Sequence, residues 1–185
     1  MQKATAFMND SEMRKELEKH HAASFMWAFH CCLRDRAEAE EVLQTVYLKI
    51  LEGKAVFSDR STFKTWLFSV IRMTAGESWR RRRLRRQKLV GFEDIRPVPS
   101  PEHPERNRER AETLEIFERA LRELPLRQQQ VLELVFYHDL TIEEAAEVLG
   151  ISLGSSRTHY ARGKRSIREK MEKLGVGHEY GTRKQ

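Results

Sequence analysis

The sequence predicts an all-α fold of two small helical domains joined by a flexible linker. Apolar residues recur at three- and four-residue intervals along segment after segment, which is the period of a helix lying on a core. A polar stretch carrying Pro97, Pro99, Pro101 and Pro104 then divides the chain. At 185 residues, with 39% hydrophobic and 34% charged, two modest helical cores fit better than one large one. The expected boundaries are 11–90 for the first domain, 91–110 for the linker and 111–174 for the second domain.

Residues 11 to 32 form the first expected helix, with Leu17, His21, Phe25, Ala28 and Phe29 toward the core and Ser11 as its cap. His20, His21, His30, Cys31 and Cys32 cluster there. Neighbours one residue apart point to different faces, and no CxxC or HxxxH set completes a site, so no metal or other cofactor is expected. Adjacent cysteines rarely bridge, which argues against a disulfide-stapled secreted domain.

Asp35 to Glu52 reads as the second helix, with Ala39, Val42, Leu43, Val46, Tyr47, Ile50 and Leu51 inward. Its acidic start suits the helix dipole. Glu38, Glu40, Glu41, Gln44 and Thr45 fall largely on the outer faces, a polar surface that is either simply solvated or meets a basic partner. Gly53 to Arg60 interrupts the period, and Ser61 or Thr62 can cap the next helix.

The third helix, Ser61 to Arg86, joins an apolar stem to a cationic end. Phe63, Trp66, Leu67, Val70 and Ile71 mark a buried face that Ala75 and Trp79 extend, and from Arg80 to Arg86 only Leu84 is not arginine. Guanidinium groups so crowded repel one another unless a polyanion lies across them, and their planar forks suit phosphate. Aromatic faces also stack unpaired bases. Aromatics at helical spacing are more often core, so Phe63 and Trp66 read first as structural and Trp79 as the one to meet nucleic acid.

The proline-rich linker, if flexible, spans roughly 25 Å and reaches about 65 Å when extended. Two modules so tethered gain avidity on one partner molecule. Ala111 to Leu124 resumes as a helix with Leu114, Phe117, Ala120, Leu121 and Leu124 apolar, ended by Pro125. Arg127 to Tyr137 is the next helix, with Val131, Leu132, Leu134 and Val135 inward and a turn at His138 and Asp139.

Thr141-Ile142-Glu143-Glu144 is a capping box opening a helix that ends near Leu149. Gly150 turns the chain, Ser152 caps again, and a basic helix runs to about Met171. Two helices joined by a short glycine turn have the helix-turn-helix layout. On the second, Ser156, Tyr160, Gly163 and Ile167 share the inward face. Ser155, Arg157, Thr158, His159, Arg162 and Arg165 lie outward and offer donors for phosphates and base edges of duplex DNA. The polar tail from Gly175 to Gln185 is expected to be disordered.

Charge and hydropathy bound the setting. The formal charge is +6 with a pI of about 9.5, yet 28 acidic residues are present, so where each sign clusters matters more than the balance, and acidic and basic patches imply different partners. No apolar run approaches a membrane span and Met1 to Asp10 lacks a signal core, so a soluble cytoplasmic protein without stable membrane insertion is expected.

With these segments in order, the chain resembles an extracytoplasmic-function (group 4) sigma factor of bacterial RNA polymerase over nearly its whole length. Ala39-Glu40-Glu41-Val42-Leu43-Gln44-Thr45-Val46-Tyr47-Leu48-Lys49 resembles region 2.2, which docks on the polymerase clamp helices. The resemblance assigns polymerase contact to Glu38, Glu40, Glu41, Gln44 and Thr45. Phe63-Lys64-Thr65-Trp66-Leu67 through Arg72 to Arg80-Arg81 is similar to regions 2.3 and 2.4. It implies that Phe63, Lys64, Trp66, Arg72, Met73, Trp79, Arg80 and Arg81 melt and read the −10 element. Leu124-Pro125 and Thr141 to Arg165 resemble region 4, so Ser155, Arg157, Thr158, His159, Arg162 and Arg165 would read the −35 element.

The family commonly has Arg-Asn where this chain has Arg72-Met73, and Met73 cannot make the hydrogen bonds by which an asparagine holds a flipped base. Glu77 stands for a usual aspartate. Ser156 replaces a usual valine, which is expected to weaken the core of its helix slightly, and the arginine run is denser than typical. The implied partners are core RNA polymerase, promoter DNA and an anti-sigma factor, without catalysis by this chain. The alternative is a stand-alone DNA-binding regulator whose N-terminal half dimerises or senses. An enzyme finds no support in a nucleophile elbow, P-loop or zinc signature.

Overall fold

A computed structural model describes residues 8–88 and 116–173, with side chains over 8–84 and 116–173. The expected linker at 91–110, the helix start at 111–115, Leu114, the tail beyond 174 and the side chains of Arg85 and Arg86 lie outside the described residues. The described chain is all-α and divides into two compact units.

In the first unit α1 covers Asp10–Cys31, α2 Arg36–Leu51 and α3 Phe63–Lys88. Asn9 rather than Ser11 caps α1. The Glu12 N–H donates to Asn9 Oδ1 at 2.9 Å and the Asn9 N–H donates back to Glu12 Oε2 at 3.0 Å. This reciprocal box satisfies two helix-end donors at once, so it wins over a lone serine two residues on.

The α1–α2 corner is tight, with Leu33 and Arg34 both left-handed at φ 54° and 67°. Asp35 then caps α2, accepting from the Glu38 N–H at 3.0 Å. Between the two candidate caps of α3 the structure uses Thr62, whose Oγ1 accepts from the Thr65 N–H at 3.2 Å.

The core of this unit forms where α1, α2 and α3 meet, with Ala28, Val42, Val46, Leu67, Phe68 and Ile71 among its buried side chains. Trp27 is wholly buried; its ring stacks on Phe68 at 6.0 Å and its Nε1–H donates to the Phe68 carbonyl at 3.0 Å. The expected inward face of α1 is rotated. Ser24 and Trp27 are buried, whereas His21 is exposed and binds the Tyr47 hydroxyl through Nδ1 at 3.0 Å. Leu51 is likewise exposed, while Ile50 beside it in the last turn of α2 is buried.

In the second unit α4 is described over 116–122, α5 is Leu126–Phe136, α6 Ile142–Leu149 and α7 Leu153–Lys173. Leu121, Leu124, Leu132, Ile167 and Met171 form a core, with Phe117 and Tyr160 packed against it. Pro125 stands at the N-cap of α5, which is why α4 stops before it. The Thr141–Glu144 box closes from both sides, at 2.9 Å and 3.1 Å. Gly150, at φ +59°, makes the turn and Ser152 Oγ accepts from the Ser155 N–H at 3.1 Å to begin α7.

Candidate nucleic-acid interface

Three surfaces carry the residues singled out from the sequence, one on α2, one on α3 and one on α7. On α2, Glu40, Glu41 and Gln44 are exposed, and Glu40 accepts from Arg36 Nε at 3.0 Å. Thr45 is half-buried, and its hydroxyl donates to the Glu41 carbonyl at 2.9 Å.

Glu38 departs from the outward placement expected of it. Its side chain is 9% exposed, pairs with the Arg82 guanidinium and accepts from Ser78 Oγ at 3.4 Å. An ionised carboxylate is shielded from water only where a cation and donors replace the lost hydration, and α3 supplies both.

Beside the acidic face a groove of about 440 Å³ runs between α1 and α2, lined in part by His21, Phe25, Arg36, Leu43 and Tyr47. Leu48 and Leu51 add exposed apolar surface to the same helix. Sequence reasoning missed Leu48, although its place one turn before the helix end, out of phase with Val46 and Ile50, is readable in the period.

On α3 the expected −10 residues separate by depth. Phe63 is buried in an aromatic cluster with Phe57 at 5.4 Å and Trp66 at 5.3 Å, and it stacks on His20 at 6.0 Å. Burial lowers the pKa of His20 below its ordinary 6.5, because an imidazolium there loses hydration; Glu16 offsets this in part. Trp66 is half-buried, and Lys64 lies over the Phe68 ring at 5.8 Å. Arg72 is half-buried and Met73 is 60% exposed.

Trp79 does not extend the core as its spacing suggested. It is 49% exposed, with the Arg83 guanidinium 5.4 Å from its ring centre. The buried stripe of α3 ends at Ala75, so Trp79 stands with exposed Arg80 and Arg81 as an aromatic-cationic surface. A planar ring flanked by guanidinium groups suits a base and its phosphate together.

On α7, Ser156, Gly163 and Ile167 are buried as expected and Tyr160 is half-buried. The cost expected of Ser156 in a core position is offset, because its Oγ donates to the Ile142 carbonyl at 3.1 Å. That bond also holds α7 against the start of α6. Arg157, Thr158, Arg162 and Arg165 are exposed, His159 is half-buried, and Arg157 rests on Glu143 at 3.1 Å. Ser155 is exposed and its hydroxyl is shared with Ser152 at 2.9 Å. The outward face of the helix-turn-helix is thus polar and cationic from its first turn onward.

Among the described residues no three metal-ligating side chains gather, and no helix is long and apolar enough to cross a membrane. Burial pushes the Cys32 thiol up to about 12.

Residues 17–85 match the family model for sigma-70 region 2, and residues 114–167 match that for sigma-70, region 4. The chain is 29% identical over 162 residues to the ECF RNA polymerase sigma factor SigX of Bacillus subtilis, covering 85% of this chain and 82% of that protein. It is 26% identical to the ECF RNA polymerase sigma factor SigF of Caulobacter vibrioides, covering 74% and 72% of the two chains. Among solved structures, the sigma factor RpoE of Bartonella quintana, crystallised with the anti-sigma factor NepR, superposes with a TM-score of 0.69. That match has 21% identity and covers 88% of this chain and 98% of the other. CnrH, solved in complex with the cytosolic domain of CnrY, gives a TM-score of 0.58 at 18% identity, over 89% and 90% of the chains.

Proposed function

The chain belongs to the sigma-70 family as an extracytoplasmic-function sigma factor, and on that basis we propose how its surfaces divide the work of initiating transcription. It binds core RNA polymerase, directs it to promoters and helps open the DNA. The observation that carries this reading is the order of two different helical units in one chain, an acidic-faced and arginine-ended one before a helix-turn-helix.

We assign 11–90 to polymerase binding and the −10 element, and 111–174 to the −35 element. Glu40, Glu41, Gln44 and Thr45 form the polymerase-facing surface. Lys64, Arg72, Met73, Trp79, Arg80 and Arg81 meet the −10 strand, with Phe63 and Trp66 beneath them as support. Ser155, Arg157, Thr158, His159, Arg162 and Arg165 enter the duplex. Opening costs stacking and pairing, which binding of the unstacked base offsets.

The chain contributes binding free energy and leaves phosphoryl transfer to the polymerase, and acting on that polymerase places it in the cytoplasm. An anti-sigma factor is the expected regulator, in line with the anti-sigma factor NepR bound to the similar RpoE. Co-elution of the purified protein with core RNA polymerase tests the reading, and alanine at Glu40, Glu41 and Gln44 is expected to weaken the complex. A folded wild-type protein that fails to bind the matching polymerase would overturn it in favour of a stand-alone regulator.

A further inference from the structure

Apolar packing does not hold the second half of α3. Beyond Ala75, Gly76, Glu77 and Ser78 are half-buried and Trp79, Arg80, Arg81 and Arg83 are exposed. Two polar ties to α2 take over. Lys49 Nζ reaches Glu77 at 2.8 Å and Thr74 Oγ1 at 3.2 Å. Toward the other end of α2, Glu38 receives Arg82 and Ser78.

Positions 38 and 49 are roughly 16 Å apart along a helix, so two ties fix a direction where one would leave a pivot. Among the arginines 80–83, Arg82 alone turns partly inward, its side chain 37% exposed and set on a carboxylate that is nearly closed to solvent.

We propose that Glu38 is a positioning residue for DNA engagement. With Ser78 and Arg82 it sets the direction in which the arginine-rich half of α3 leaves the helical unit, and its carboxylate is no part of the polymerase-facing surface. Without it, mutual repulsion among the guanidinium groups is unopposed at that point. The helix end must then be ordered again each time a strand binds. The inference rests on the sigma-factor reading and reassigns one residue within it.

The test compares full-length wild type, Glu38→Gln and Glu40→Ala/Glu41→Ala in two assays, co-elution with core polymerase and opening of a promoter by the holoenzyme. Glu38→Gln is expected to bind core polymerase as wild type does. It should open DNA about tenfold less well, the scale of one lost charge-assisted contact. Amide exchange should speed up from 79 to the end of α3 while 63–75 is unchanged, a local signature that general destabilisation does not give. Exchange of the pair, Glu38→Arg with Arg82→Glu, should open DNA better than Glu38→Arg alone.

Loss of core binding in Glu38→Gln, matching that of Glu40→Ala/Glu41→Ala, would overturn the proposal, and so would undiminished opening. If Glu38→Gln does not fold, Arg82→Lys carries the same test. It keeps the charge and loses the fork, and reduced opening with intact core binding supports the latch while unchanged opening overturns it. A wild-type protein that binds no core polymerase fails the sigma-factor reading separately.

Discussion

Gly163 shows how finely the second unit is fitted. A Cβ there would come 2.8 Å from Leu132 Cδ1 and 3.3 Å from Gln128 Cβ, and Leu132 is itself wholly buried with little room to yield. Gly163→Ala should therefore destabilise by about 1–2 kcal/mol through overpacking, read as a lower urea midpoint. Cys32 tests burial in the first unit. Its thiol, pushed up to about 12, should resist iodoacetamide at pH 8 in the native protein and react on unfolding. Met73 tests recognition. Its exposed thioether offers dispersion and shape but no donor–acceptor pair, so the proposed −10 contact is expected to tolerate different bases. Met73→Asn should sharpen base preference at one −10 position, measured by opening of a promoter set varied there.

Among the helices, pH acts on the supports of α3. His20, stacked under Phe63, titrates below its ordinary 6.5 because burial disfavours its charge. The unfolded chain then binds the proton first, so stability falls as pH drops through 6.5 toward the folded value. Glu77 is also lowered, chiefly by the hydrogen bond from Lys49, from an ordinary 4.5. Its contribution is complete above 4.5 and is lost as pH falls through the depressed value. Denaturant midpoints should accordingly decline in two stages on acidification, and His20→Gln should remove the first. The helix caps are a second lever. Thr141→Ala breaks the box at α6 and should cost about 1 kcal/mol, weakening the helix that seats α7 through Ser156.

For the chain taken together, charge placement matters more than the net +6. Glu40 and Glu41 lie exposed on α2 while arginines gather on α3 and α7, so one chain can face a protein with one surface and nucleic acid with others. Each phosphate neutralised on a single strand contributes about 0.7 to the salt slope of log K. Arg80→Ala/Arg81→Ala/Arg83→Ala should thus lower the slope for −10 strand binding by about 2, with core binding retained. Equal slopes in wild type and variant would remove these arginines from the strand contact.

The helices and the caps of α3, α6 and α7 were legible in the amino-acid order, because helical period, capping boxes and turn glycines are local properties that survive without neighbours; the family was legible from the resemblance of its motifs taken in order. The cationic face of α7 was legible too, since a helix this regular assigns its faces by spacing alone. Packing between helices settled which way α1 rolls, putting Trp27 in the core and His21 outside it. It also turned Glu38 inward on Arg82 and left Trp79 in solvent beyond the last packed turn. Those outcomes depend on where one helix runs out of partners and which charge meets which across 40 or more residues of chain, and no window of local sequence carries that.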